Sequence, residues 1–144
     1  MFKLITTLGL AALAAGLISG CASTEQGPVK AVYHINTKPD TVPAILGNIR
    51  NHLNADPSSK IVVTTHGDGI LFLLQDAKDS RGREFAATIS ELKGRGVDFR
   101  VCNNTLTTRN IKADQVSMEA KIVPSGVAEV ARLQSREGYV YLKP

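Results

Sequence analysis

Cys102 is the residue whose type and position are most typical of a chemical role. It ends the apolar run "VDFRVC" and precedes Asn103, where a predicted strand gives way to a short helix or turn. A thiolate at that junction would face the positive end of the next helix, and Arg109 could fold back toward it. Both effects lower the pKa of a thiol from its free value of about 8.5. Free cysteines are also often buried and inert, so simple packing of Cys102 stays an open alternative.

Two other polar segments follow apolar runs in the same way. His66 follows "KIVVTT", and Ser125 and Gly126 follow "AKIVP". Because ligands of open parallel sheets bind beyond the carboxyl ends of the strands, we expect these residues and Asn103 to line one rim. Ser125 and Gly126 also open a predicted helix, whose free N–H groups could accept an anion. A hydrolase that uses His66 and Ser125 is a weaker hypothesis, because the sequence places no acidic partner beside them.

The sequence predicts no metal site and no cofactor. It contains no Cys-x-x-Cys and no His-x-x-x-His pair, and "GDG" after His66 is too short for a phosphate-binding loop. His34 lies inside a strand pattern, which favours a structural role. His52 falls on the polar side of the first predicted helix.

Strand and helix patterns alternate along the chain. Five compact runs rich in β-branched residues predict strands: "KAVYHIN", "KIVVTTH", "VDFRVC", "AKIVPSG" and "GYVYLKP". Helical spacing of apolar residues lies between them, clearest from Val42 to Leu53, around "EFAATISELKG" and in "VAEVARLQSRE". The segment "ILFLLQDA" favours a short buried helix, and "TLTTRNIKADQVS" a short helix or turn. This alternation predicts an α/β sandwich with a five-stranded, mostly parallel sheet.

The first 21 residues have the layout of a secretory signal. A short positive start is followed by the apolar stretch "LITTLGLAALAAGLI" and then by "ISGC", which looks like a bacterial lipobox ending at Cys21. We therefore expect a signal over 1–21, acylation (palmitate) at Cys21, a polar tether over 22–29 and one folded domain over 30–144. The expected location is the periplasmic side of a bacterial membrane. Ala22 favours the outer membrane.

Composition narrows the possible partners. The net charge is +4, the basic residues are scattered and there is no tryptophan, so the sequence does not indicate nucleic-acid binding. About 124 residues remain after the signal, the size of a single domain. If Cys21 is acylated, Cys102 is the one thiol left, and no disulfide can form within the chain.

Several stretches, in order, resemble the DsrE/DsrF-like family, in the branch related to the sulfur-relay subunit TusD. They are "KAVYHIN", "THGDGILFLL", "GVDFRVCNNTLTTRNI" and "VPSGVAEVARLQSREGYVYLKP". The resemblance implies a three-layer α/β fold with a five-stranded, mainly parallel sheet and assembly into trimers or hexamers. It also implies that Cys102 carries persulfide sulfur between partner proteins and that Arg109 is the basic residue that follows this cysteine.

Two hypotheses follow. In the first, the protein moves sulfur or exchanges thiols in the cell envelope: Cys102 forms a persulfide or mixed disulfide, Arg109 stabilises the thiolate, and His66, Asn103 and Ser125 orient a small sulfur anion. In the second, it is a non-catalytic oligomeric scaffold or binding lipoprotein in which Cys102 is buried. The sequence does not decide whether the protein is an enzyme.

Overall fold

The computed structural model describes residues 27–144. The predicted signal with Cys21, and residues 22–26 of the predicted tether, lie outside the described residues. The strands are β1 (Lys30–Ile35), β2 (Lys60–Thr65), β3 (Asp98–Cys102), β4 (Ala120–Val123) and β5 (Val140–Leu142). The α-helices are α1 (Val42–Ala55), α2 (Ala86–Gly94), α3 (Asn103–Thr108) and α4 (Gly126–Glu137). No helix of this described part is both long enough and apolar enough to cross a bilayer.

The strands form one sheet in the order β4-β3-β2-β1-β5, and each neighbouring pair is parallel. The α/β prediction with a five-stranded sheet is therefore confirmed, and the sheet is parallel throughout. The central strand β2 has five consecutive buried residues, Ile61 to Thr65, which explains why its apolar residues cluster rather than alternate.

The strand order explains how the helices divide between the two faces. From β1 to β4 the chain steps across the sheet in one direction, whereas β5 returns to the other side of β1. Since parallel crossovers are right-handed, the return connection places α4 on the face opposite α1 and α2. Two separate clusters of buried residues reflect these layers: a large one with Ile49 and Leu92, and a small one with Val32, Val62, Val130 and Leu133.

The connection after β2 is a 3₁₀ helix, Gly67–Leu73, with Ile70, Phe72 and Leu73 buried. This agrees with the short buried helix expected for "ILFLLQDA". The helix after β3 begins directly at Asn103, two residues before the segment "TLTTRNIKADQVS" in which a short helix or turn was predicted. A separate 3₁₀ turn follows at Ala113–Gln115.

Gly69 lies where this 3₁₀ helix packs against the end of β1. A Cβ atom at this position would stand 2.1 Å from the carbonyl oxygen of Ile35, so the backbone would have to move to admit a side chain. At Gly47, inside α1, no atom other than its chain neighbours and the helix's own backbone lies within 4 Å of the corresponding position.

We predict that Gly69→Ala lowers the free energy of unfolding by about 1–3 kcal/mol, because it overpacks a rigid backbone contact. Gly47→Ala is the matched control, and it should raise the free energy of unfolding by about 0.5–1 kcal/mol through helix propensity. Urea denaturation measures both. Equal effects of the two substitutions would contradict the packing argument.

Candidate functional site

The predicted rim residues lie at the carboxyl ends of neighbouring strands. Cys102 ends β3, His66 follows β2, and Ser125 follows β4. The register pairs Thr65 with Val101, so His66 and Cys102 come next to each other on adjacent strands. The fold thus brings together the three segments that the sequence singled out.

Cys102 is buried, with 4% of its surface exposed. Gly126, the first residue of α4, lies directly above it: a Cβ atom on Gly126 would be 3.3 Å from the Cβ atoms of both Cys102 and His66. The same atom would be 2.6 Å from the carbonyl oxygen of Thr65, so this position has no room for a side chain. The thiol is therefore covered by backbone and has little contact with solvent.

Polar groups nevertheless surround the sulfur. Burial raises the pKa of the Cys102 thiol, but the nearby N–H groups of Gly126, Thr105 and Asn104 and the Thr105 hydroxyl outweigh it, although the Asn104 N–H group itself donates to the carbonyl oxygen of Pro124 at 3.3 Å. The net result is a pKa below the ordinary value, which increases the thiolate fraction. The donors belong to the first residues of α3 and α4.

The Thr105 hydroxyl is oriented by a second hydrogen bond. The N–H group of Gly67 donates to Thr105 Oγ1 at 3.1 Å, and Gly67 itself has a φ of 56°, in the left-handed region that glycine favours. Because the oxygen lone pair accepts from Gly67, the hydroxyl hydrogen remains available for the sulfur. The sequence reasoning missed Thr105, since its role depends on the close approach of a loop 38 residues away.

Arg109 lies at the same edge but does not have the predicted partner. Its guanidinium group binds the carboxylate of Asp68 at 2.5 Å, whereas the groups that lower the Cys102 pKa are amides and a hydroxyl. Arg109 instead borders a shallow pocket of about 320 Å³. The remaining residues of this pocket are His66, Gly67, Asn104, Thr105 and Thr108.

Asn103 and Ser125 have different environments. Asn103 is the first residue of α3, and it is exposed. Ser125 is the N-cap of α4, and its hydroxyl accepts a hydrogen bond from the N–H group of Ala128 at 3.4 Å. The predicted start of a helix at Ser125 and Gly126 is confirmed. The helix N-terminus was expected to have free N–H groups for an anion, but the Ala128 N–H group already donates to Ser125, and that of Gly126 lowers the pKa of Cys102.

His66 stacks on His34, whose ring centroid lies 4.7 Å away. The Nδ1 atom of His34 is 2.8 Å from the hydroxyl oxygen of Tyr141 on β5, and its Nε2 atom is buried without a hydrogen-bond partner among the described residues. Burial, then the nearby His66 and Lys143, lower the pKa of His34, and burial and Lys143 lower that of His66. Both imidazoles therefore favour the neutral form, and His66 is the one that lies next to the cysteine.

We predict that the stacked histidines make stability fall on mild acidification. Their pKa values are lower in the folded chain than in the unfolded chain, so below about pH 6.5 the unfolded chain takes up protons first and the free energy of unfolding decreases. Urea midpoints measured between about pH 7.5 and 5.5 should fall for the wild type and vary less for the His34→Gln/His66→Gln variant. Identical pH profiles for the two proteins would refute this coupling.

Comparison with known proteins identifies one family. The pattern of the DsrE/DsrF-like family matches residues 29–144. Among solved structures, the protein of unknown function MTH1491 from Methanobacterium thermoautotrophicum is 31% identical, with a TM-score of 0.72 over 81% of this chain and 99% of that chain. The ychN protein from E. coli is 11% identical, with a TM-score of 0.61 over 81% of this chain and 100% of its own, a similarity of fold. No curated protein matches the chain.

The family match begins just before β1 and continues to the last residue, and it includes each segment that forms the site around Cys102. MTH1491 supports the same assignment over nearly its whole length. The chain belongs to the DsrE/DsrF-like family.

Proposed function

We propose that this protein carries sulfur, or exchanges thiols, through Cys102 in the cell envelope. The observation that supports the proposal best is the place of Cys102 beside the starts of α3 and α4, where nearby amide N–H groups and the Thr105 hydroxyl lower the pKa of its thiol in spite of burial. Thiolate character is what sulfur transfer requires, because the thiolate and not the thiol is the nucleophile. The relation to TusD-type sulfur relays, which the sequence resembles, belongs to this proposal.

The transfer step needs no external oxidant. The Cys102 thiolate attacks the outer sulfur of a persulfide or polysulfide donor, a new S–S bond forms, and the donor's S–S bond breaks. The donor leaves as a thiolate with the bonding electron pair, and Cys102 becomes a persulfide. When an acceptor thiolate later attacks the outer sulfur, Cys102 leaves as a thiolate, and its lowered pKa favours that departure.

The pocket beside Cys102 supplies the surroundings that this step needs. Arg109 borders it, and a small sulfur anion would compete with the Asp68 carboxylate for its guanidinium group, while Asn104 and His66 offer hydrogen-bonding groups. Neutral His66 can accept the proton of the thiol when the thiolate forms. Because the Ser125 hydroxyl caps α4, we do not propose that it contacts the anion.

Because the Cys102 sulfur is buried, a sulfur donor must either be small or reach it when α3 opens locally. This helix has six residues, and five of its side chains are at least partly exposed, so opening it costs less than opening the core. Its first turn carries Asn104 and Thr105, which separate the pocket from the sulfur.

A scaffold or binding role is the second candidate, and the 4% exposure of Cys102 is the observation that favours it. In that case the sulfur only accepts hydrogen bonds from the amide groups that pack around it. Substitution of Cys102 would then change stability and leave binding partners unaffected.

Location and assembly complete the proposal. We propose that the chain is exported, acylated on Cys21 and held on the periplasmic side of a membrane, the outer membrane in preference. We further propose a homo-oligomer, a trimer or hexamer, that receives sulfur from a donor protein and delivers it to an acceptor. Exposed apolar side chains at Ile122 and Val127, on β4 and α4, are suited to contacts between copies.

We predict that incubation with polysulfide adds a sulfur atom to the wild-type protein at Cys102, detected by mass spectrometry of the intact protein and its peptides. Cys102→Ser should take up none. Alkylation of the native protein should have a midpoint below about pH 8.5, the value of a free thiol. A native Cys102 that resists alkylation from about pH 6 to 9 and gains no sulfur would leave the scaffold role as the explanation.

The contribution of Thr105 can be measured separately. Thr105→Val removes the hydroxyl donor and should slow alkylation of Cys102 near neutral pH about tenfold, the equivalent of about 1.4 kcal/mol, close to the lower end for a hydrogen bond to a charged group. Thr105→Ser keeps the donor and should react as the wild type does. Thr107→Val, on an exposed position of the same helix, is the control for altered helix propensity. If Thr105→Val and Thr107→Val react equally fast, the hydroxyl does not stabilise the thiolate.

A further inference from the structure

The edge of the sheet where the strands begin carries three basic side chains close to the start of the described chain. Lys30 and Lys60 open the paired strands β1 and β2 at the same register, and the N–H group of Lys60 donates to the carbonyl oxygen of Val29 at 2.7 Å. Arg136 lies in the last turn of α4, which ends at this edge. We call Lys30, Lys60 and Arg136 the basic edge.

These three cations are not neutralised by carboxylates of the described residues 27–144. None of them forms an ion pair there, and the Lys30 ammonium group donates to the backbone carbonyl of Glu137 at 3.1 Å. The side chain of Glu137 is itself bound by Arg132. The positive charge of the basic edge is therefore available to an external anion.

Exposed apolar side chains lie beside these charges. Val29 and Val140 are 48% and 53% exposed, and both line a shallow groove of about 440 Å³. Gly27 and Pro28 line the same groove, so the described residues that lead into β1 lie at this edge. Basic groups next to exposed apolar groups are the combination that binds the headgroup region of an anionic membrane.

We propose that the basic edge lies against the surface of an anionic bilayer, with Lys30, Lys60 and Arg136 on lipid phosphates and Val29 and Val140 at headgroup level. The inference rests on the proposed acylation of Cys21. The chain from Cys21 to Val29 reaches at most about 29 Å, so the anchor keeps this edge near the bilayer. Within the Debye length of about 8 Å, each basic residue adds to the attraction.

This orientation determines which kind of sulfur donor or acceptor can reach the carboxyl ends of the strands. Cys102 lies at the carboxyl ends of the strands, and β1 has six residues, about 20 Å of length. With the basic edge on the membrane, Cys102 and its pocket face away from the lipid. Donors and acceptors of sulfur would then be soluble proteins or small molecules, not lipid-embedded ones.

Fluorescence quenching tests the proposal with the exported, acylated protein in vesicles. The chain has no tryptophan, so Val140→Trp places a single reporter at the basic edge. With brominated lipids, the reporter should be quenched in vesicles that contain about 30% anionic phosphatidylglycerol, and much less in neutral phosphatidylcholine or at high salt. Equal quenching in neutral and anionic vesicles, or none in either, would overturn the proposal.

A matched pair of variants tests the charges. Lys60→Gln and Arg136→Gln are added to the Val140→Trp reporter. Each substitution should lower about fivefold the ratio of anchored molecules whose domain touches the bilayer to those whose domain does not. Lys38→Gln and Lys143→Gln, which remove two charges after the carboxyl ends of β1 and β5, should leave it unchanged. Equal effects of the two pairs would refute the orientation.

Flotation of the vesicles separates this proposal from those it rests on. Protein that floats without quenching is anchored but not oriented as proposed, whereas protein that does not float contradicts both the anchor and the orientation. Polysulfide uptake by Cys102 in the same sample reports on the proposed chemistry, independently of either result.

Discussion

The site depends on the bare backbone of Gly126. Helix α4 starts at this residue, so close to the ends of β2 and β3 that a side chain would collide with the carbonyl oxygen of Thr65. Because no side chain intervenes, the Gly126 N–H group lies near enough to the sulfur to lower the pKa of the Cys102 thiol. The strand order makes this contact possible, since the return from β4 to β5 carries α4 onto the face of the sheet to which Cys102 points.

Cys102 and the two histidines at this edge differ in whether neighbouring groups offset the effect of burial on their pKa values. Burial disfavours the charged form of both cysteine and histidine, but four donors outweigh it at Cys102. At His34 and His66 nothing compensates, so both pKa values fall and the rings remain neutral. The arrangement therefore stabilises a thiolate through amide dipoles beside neutral imidazoles, and it does not rely on an imidazolium–thiolate ion pair.

The sequence predicted the layers well because they follow from local patterns. Clustered β-branched residues identify β2, and helical spacing identifies α1 and α4, whatever the rest of the chain does. The N-cap role of Ser125 was also readable, since serine before a helical pattern is a common cap.

What the sequence could not predict are contacts between segments far apart in the chain. Arg109 was expected to contact Cys102. The partner of a long cationic side chain depends on which loops lie near it. Here the loop after β2 places the Asp68 carboxylate against the Arg109 guanidinium group. The burial of Cys102 has the same origin, because the residue that covers it, Gly126, belongs to a different crossover. Thr105 was missed because only the approach of Gly67 gives its hydroxyl a direction.

The number of donors around Cys102 bears on the choice between a packed thiol and a reactive one. A neutral thiol is a weak acceptor, and buried N–H groups left with weak partners are costly. A thiolate is a much stronger acceptor, so the Thr105 hydroxyl and the Gly126 N–H group have a better partner when the sulfur is charged. A cysteine that serves only for packing would need no such polar neighbours, and an aliphatic pocket would hold it as well. The polar surroundings of this buried sulfur therefore favour a thiolate that is formed in the closed state and used when α3 gives access to it.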